Sequence, residues 1–286
     1  MSQRSDWFVT TEWLASHLAD PKVVVIDGSW HLATTGRSGR AEYEREHIPG
    51  AVFFDIDAVA DTGNPLPHML PSAAKFAAAV GGLGIDEKQR IVVYDSAGLS
   101  SAPRVWWTFK VMGARDVVLL DGGLPKWKAE GRPVSAEPVQ RRPRTFAAHL
   151  APGVVRDMRQ VADGLKAKTF QLVDARPAAR FFGEAAEPRP WVKTGRIPGS
   201  LNVPSTDLIE NGRLKEPEDL RTAFAAAGVD LGKPIVTSCG SGVNAAALSL
   251  ALDVLGVKDA ALYDGSWTEW GARDDMPIAT GRNRGD

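Results

Sequence analysis

The chain has a single cysteine in 286 residues. One thiol excludes an internal disulfide and a zinc site built from cysteines, and a thiol that must stay free suits a reducing compartment. No apolar run reaches the roughly 18 residues that a membrane-spanning helix needs. The opening "MSQRSDWFVTTEWLASHLAD" lacks an apolar stretch of signal-peptide length. Charge of one sign is also missing. A net charge of −1 gives no reason to expect nucleic acid or an acidic membrane surface as a partner. The short "RRPR" at 141–144 lies among prolines and reads as solvated linker before it reads as a phosphate patch. These absences leave a soluble cytoplasmic protein as the expectation. Hydrophobic content of 44% and charged content of 24% suit a globular chain with room for one large domain or two ordinary ones.

Four stretches of the first half recur in the second, in the same order. "VVVIDGSW" (23–30) matches "FQLVDARP" (170–177), and "HIPGAVFFDID" (47–57) matches "RIPGSLNVPSTD" (196–207). "IVVYDSAG" (91–98) matches "IVTSCGSG" (235–242), and "VVLLDGGLPKW" (117–127) matches "AALYDGSWTEW" (260–270). The offsets run only from 143 to 149, so the chain holds two copies of one domain. Each copy has short β-branched, apolar runs that end in Asp, Gly or Ser, separated by helix-length segments. Such runs suit strands buried on both faces, and the expected fold is α/β, an open and mainly parallel sheet flanked by helices in each half. Residues 1–140 and 153–286 are the expected domains, with 141–152 as linker. Ligands bind beyond the carboxyl ends of such strands, and a site between the copies could draw on both.

Cys239 lies at such a strand end, in "IVTSCGSGVNAAA" (235–247), where the first copy has Asp95. A carboxylate cannot act as a soft nucleophile, so sulfur chemistry is expected of the second copy only. Gly240, Ser241, Gly242 and Val243 then lead to Asn244, which opens a helical run. Glycines let successive N–H groups curl toward one centre, and the helix behind adds the positive end of its dipole. Two readings stand at this point: a cradle that favours a thiolate, or an ordinary strand-to-helix turn that buries a cysteine. A cysteine phosphatase is excluded, because Cys-x5-Arg requires an arginine six residues on and the chain has Ala245 there.

With "CGSGVNA" and "YDGSWTEW" behind, and "HIPGAVFFDID", "PHMLP", "SAPRVWW" and "LLDGGLPKW" in front, the chain resembles the tandem-domain sulfurtransferases of the rhodanese superfamily, from about Trp7 to Gly271. Its loop is similar to that of the branch using 3-mercaptopyruvate, Cys-Gly-Ser-Gly-Val-Thr. The thiosulfate-preferring branch carries the basic Cys-Arg-Lys-Gly-Val-Thr. The resemblance implies an inactive first domain and a catalytic second one. It implies Cys239 as nucleophile and persulfide carrier, and Arg180 and Arg189 as holders of the donor's carboxylate and carbonyl. Ser241, His68 and Asp57 match a proton-handling set, and Gly240, Gly242, Val243 and Asn244 complete the donor-binding loop. From the residues alone, His68 is a loop histidine, Asp57 a strand-end cap and "EAAEPR" a solvated surface loop. His47, replaced by Arg196 in the second copy, reads as part of a structural turn. Asp174 reads as ordering strand ends by pairing with an arginine, and Trp127, Trp267 and Trp270 as packing.

Two departures bear on donor choice: Asn244 and Arg196 stand where the family has threonine and histidine. The resemblance implies transfer of sulfur from 3-mercaptopyruvate through Cys239 to a thiol such as thioredoxin, or to cyanide, with pyruvate released and no metal or organic cofactor. Thiosulfate as donor, a non-catalytic persulfide relay and a thiol-sensing scaffold are the alternatives.

Overall fold

A computed structural model describes residues 4–282. They form two compact units. The first comprises the chain up to Thr62, with Leu70–Ala151 and Asn211–Leu214; the second comprises Gly63–Met69, Pro152–Glu210 and the chain from Lys215 onward. Among the described residues no helix is long and apolar enough to cross a membrane.

The first unit is built on strands β1 (Phe8–Val9), β2 (Val23–Asp27), β3 (Val52–Phe53), β4 (Arg90–Tyr94) and β5 (Asp116–Leu120). All pairs are parallel, in the order β1-β5-β4-β2-β3. The second unit has β6 (Val155–Arg156), β7 (Gln171–Asp174), β8 (Leu201–Asn202), β9 (Ile235–Ser238) and β10 (Ala260–Tyr263). Its order, β6-β10-β9-β7-β8, is the same topology repeated, again all parallel. Every residue of "VVVID" and of "IVTS" is buried, as strands covered on both faces must be. The duplication and the parallel sheets read from the sequence are both present.

The repeated tryptophans are core. Trp127 packs with Val92, Tyr94, Leu120 and Leu124, and Trp267 and Trp270 pack with Leu172, Val236 and Tyr263. Each indole N–H is spent on a carbonyl, of Pro133, Lys193 and Pro277 respectively. Truncating any of them to alanine is expected to cost about 3–5 kcal/mol. The "IPG" turns are likewise structural in both copies. His47 and Arg196 each make a two-bond antiparallel bridge, to Ser135 and Ala279. Arg196 is buried, donates to the Gly281 carbonyl and stacks on Phe181 and Phe182. The stretch expected as linker is tied along the first unit. Arg144 N–H donates to Gly81 O, Ala151 N–H to Val111 O, and Phe146 is buried.

Candidate active site

β7 and β9 lie side by side with Asp174 opposite Ser238, so both strands end at the same level and Cys239 follows at once. Its side chain is buried. The loop after it turns on Gly242, whose φ of 80° belongs to the left-handed region open to glycine. Gly98, its counterpart, has φ 78°, so this glycine serves the turn in both copies. Gly240 is small for a different reason. A Cβ placed there would lie 3.2 Å from Arg180 Nη2, so the Arg180 guanidinium packs directly over the loop.

The peptides on either side of the thiol are pinned by the turn after β10. Cys239 N–H donates to Ser266 Oγ at 3.2 Å, and Trp267 N–H donates to Cys239 O at 2.9 Å. Thr268 donates to Gly240 O from its N–H at 2.8 Å and its hydroxyl at 2.6 Å. Ser266 holds φ 53°, unusual for a residue with a side chain, and its hydroxyl is anchored on Tyr263 O. Arg189 reaches the same turn, with Nη1 3.4 Å from Thr268 Oγ1. Ser266 and Thr268 are not among the residues to which the sequence points. The signal was present: in the repeated "DG" stretch, Gly123 and Pro125 of the first copy become residues bearing hydroxyls.

His68 belongs to the second unit, not to the first as the repeat boundary implied. Its Nδ1 hydrogen-bonds Ser241 Oγ at 2.9 Å, and the pair is buried. The His68 backbone is left-handed, with φ 62°, a sparsely populated conformation for a residue with a side chain. Asp57 lies in the first unit, where its Oδ2 accepts from Trp30 Nε1 at 3.0 Å. Val243 is buried. Asn244 immediately precedes the helix Ala245–Val254, and its side chain makes no capping bond there.

Arg180 is held from behind. Its Nη2 donates to Glu187 Oε2, and Glu187 Oε1 accepts from Arg176 Nη1 at 2.8 Å. Arg176 in turn forks onto Asp174 through Nε and Nη2, donates to Gly195 O and stacks on Trp267. Burial works against the Arg176 charge, but Asp174 and Glu187 outweigh it and hold the guanidinium above its ordinary value. The pairing expected of Asp174 is therefore present. The expectation for "EAAEPR" is not met at Glu187, whose side chain is only 3% exposed because two guanidiniums claim it. Removing one member of such a buried chain typically costs about 3–5 kcal/mol. The Arg180 Nε is buried without a hydrogen-bond partner. The loop thus carries a thiol and a histidine-linked hydroxyl, with the Arg180 guanidinium packed at Gly240, groups of the kind that nucleophilic attack on an anionic donor requires. Among the described residues no cluster of His, Cys, Asp and Glu could hold a metal ion.

The Rhodanese-like domain family matches residues 10–130 and 157–273. The 3-mercaptopyruvate sulfurtransferase of Escherichia coli K12 is 45% identical over 275 residues, covering 95% of this chain and 97% of its own. The rat thiosulfate sulfurtransferase is 44% identical over 270 residues, covering 92% and 91%. The crystal structure of E. coli SseA, a 3-mercaptopyruvate sulfurtransferase, superposes with a TM-score of 0.85 at 42% identity, covering 91% of this chain and 98% of that one. On the paired matches, the common sheet topology and the cysteine loop, the chain belongs to the rhodanese family and carries two copies of its domain.

Proposed function

We propose that the protein is a 3-mercaptopyruvate sulfurtransferase, and that Cys239 carries the sulfur. The observation that carries this reading is the packing of Arg180 over Gly240, a guanidinium against a loop that itself adds no charge. Arg180 and Arg189 hold the carboxylate and carbonyl of the donor and set its thiol sulfur against the Cys239 thiolate. Attack forms the S–S bond and breaks the donor's C–S bond. The electron pair passes into the enolate of pyruvate, which the Arg180 cation stabilises. The proton of the donor's thiol ends on the methyl carbon of pyruvate. Ser241, oriented by His68, is the group that passes it. The persulfide rests against the amides of the loop until a thiol or cyanide takes its outer sulfur.

Thiosulfate is the competing donor, and overall identity barely separates the two, at 45% for the 3-mercaptopyruvate relative and 44% for the thiosulfate one. The loop does. Thiosulfate is a dianion and favours basic residues after the cysteine, whereas Gly240 and Ser241 are neutral. Steady-state rates with both donors and cyanide as acceptor test this. The expected result is a higher kcat/KM for 3-mercaptopyruvate; a clear preference for thiosulfate overturns the donor assignment.

A further inference from the structure

We infer that Glu187 is a specificity-determining residue, which tunes the donor pocket to a monoanion by offsetting the charge of Arg180. The inference deepens the donor assignment above and rests on it. Three observations carry it. Glu187 bridges Arg176, wholly buried, and Arg180, which faces the loop. Arg176 is itself locked by Asp174, Gly195 O and the Trp267 ring, so Glu187 has a fixed point from which to hold Arg180. The linked set of Asp174, Arg176, Glu187 and Arg180 holds two cations and two anions and is formally neutral.

The consequence is electrostatic. Arg180 presents directional N–H donors at Gly240, but its charge is already offset before any donor arrives. A single carboxylate is recognised by those donors and by Arg189. A second negative charge on the donor meets no further cation within the linked set and faces Glu187 across one guanidinium. Discrimination against the dianion is thus built from a repulsive element as well as an attractive one. Glu187 touches neither the thiol nor the reacting atoms and is a positioning residue, not a catalytic one.

Two substitutions separate charge from position. Glu187→Gln keeps the size and removes the charge, whereas Glu187→Asp keeps the charge and shortens the reach. The readout is the ratio of kcat/KM for thiosulfate to that for 3-mercaptopyruvate. Glu187→Gln should raise the ratio by roughly tenfold or more, chiefly through KM for thiosulfate. Glu187→Asp should lower both rates and leave the ratio near the wild-type value. Equal loss with both donors in Glu187→Gln is what a merely structural role would give, and it overturns the inference. Because Glu187→Gln leaves two guanidiniums facing each other and can fail to fold, a wild-type measurement stands beside it. Pyruvate should inhibit competitively at a concentration roughly tenfold or more below that needed for sulfate. Equal or tighter inhibition by sulfate contradicts the inference. If the wild-type protein forms no persulfide with 3-mercaptopyruvate, the donor assignment itself has failed, an outcome distinct from either of these.

Discussion

The first unit shows its loop with an anion in place. Asp95 stands where Cys239 stands, one residue past the central strand, and its Oδ2 accepts from the N–H groups of Ser100, Ser101 and Ala102 at 2.7 to 2.8 Å. Its Oδ1 accepts from Ala97 N–H at 3.0 Å. The carbonyl of this residue is held alike in both copies, Leu124 N–H donating to Asp95 O and Trp267 N–H to Cys239 O. By the repeat offset, the amides of Ser241, Asn244 and Ala245 correspond to those of Ala97, Ser100 and Ser101. The first copy thus holds an anion on loop amides, and the second copy places a thiol at the matching position of the repeat. In one copy the position is a carboxylate that keeps its amide partners; in the other it is a thiol, which on the proposed reading gains and loses a sulfur. The strand beside it diverges in the same sense. Asp174 meets Arg176 and begins the chain that reaches Arg180, whereas in the first unit Ser29 stands at the position of Arg176 and Ala33 at that of Arg180.

The comparison breaks most completely if the second loop is made like the first. Cys239→Asp should fill its own cradle, retain a melting temperature near the wild-type value and lose kcat/KM by roughly ten-thousand-fold. Emptying the first cradle is the converse. Asp95→Ala leaves four amides without their acceptor and should lower stability by about 3 kcal/mol in urea denaturation. Sulfur transfer by the folded fraction should be unchanged. Asp95→Cys in a Cys239→Ser background should not start turnover, because the first unit has no counterpart of Arg180.

The third contrast is one of pH. Burial pushes the Asp27 carboxyl up to about 6, although hydrogen bonds from Ser29 and Tyr94 oppose the rise. A carboxyl raised in the folded state stabilises most below its unfolded value and loses that contribution as pH climbs through about 6. Relative to Asp27→Asn, the wild-type protein should therefore lose about 3 kcal/mol of stability between about pH 3.5 and pH 7. Denaturation midpoints across that window measure it, and a flat difference contradicts it. The smallest effect expected is at Asn244. Its side chain makes no capping bond, so Asn244→Thr should change kcat/KM with 3-mercaptopyruvate by less than about twofold.

Much of this was legible in the sequence, for physical reasons. Duplication shows as aligned strand ends, and a buried parallel strand shows as an uninterrupted apolar run such as "VVVID". The cysteine loop declared itself by its glycines, though only the structure separates their tasks: Gly242 turns the chain and Gly240 makes room for Arg180. The rest was hidden because it depends on burial. Glu187 looks solvated among alanines and a proline, and nothing in "EAAEPR" says that two arginines enclose it. The contrast between "IDGS" and "VDAR" was the available signal, since it places Arg176 where the first copy has Ser29. His68 meets Ser241 across 173 residues of chain, and periodicity within one copy cannot report such a pairing.

On the proposed reading, sulfur passes through Cys239 of the second unit. Mass spectrometry of the protein after incubation with 3-mercaptopyruvate, with pyruvate quantified in the same sample, tests it most directly. An added mass of about 32 Da, one sulfur atom, is expected on the peptide containing Cys239, matched by one pyruvate and absent from Cys239→Ser. Pyruvate released by Cys239→Ser at the wild-type rate, or an adduct on any other residue, would contradict it.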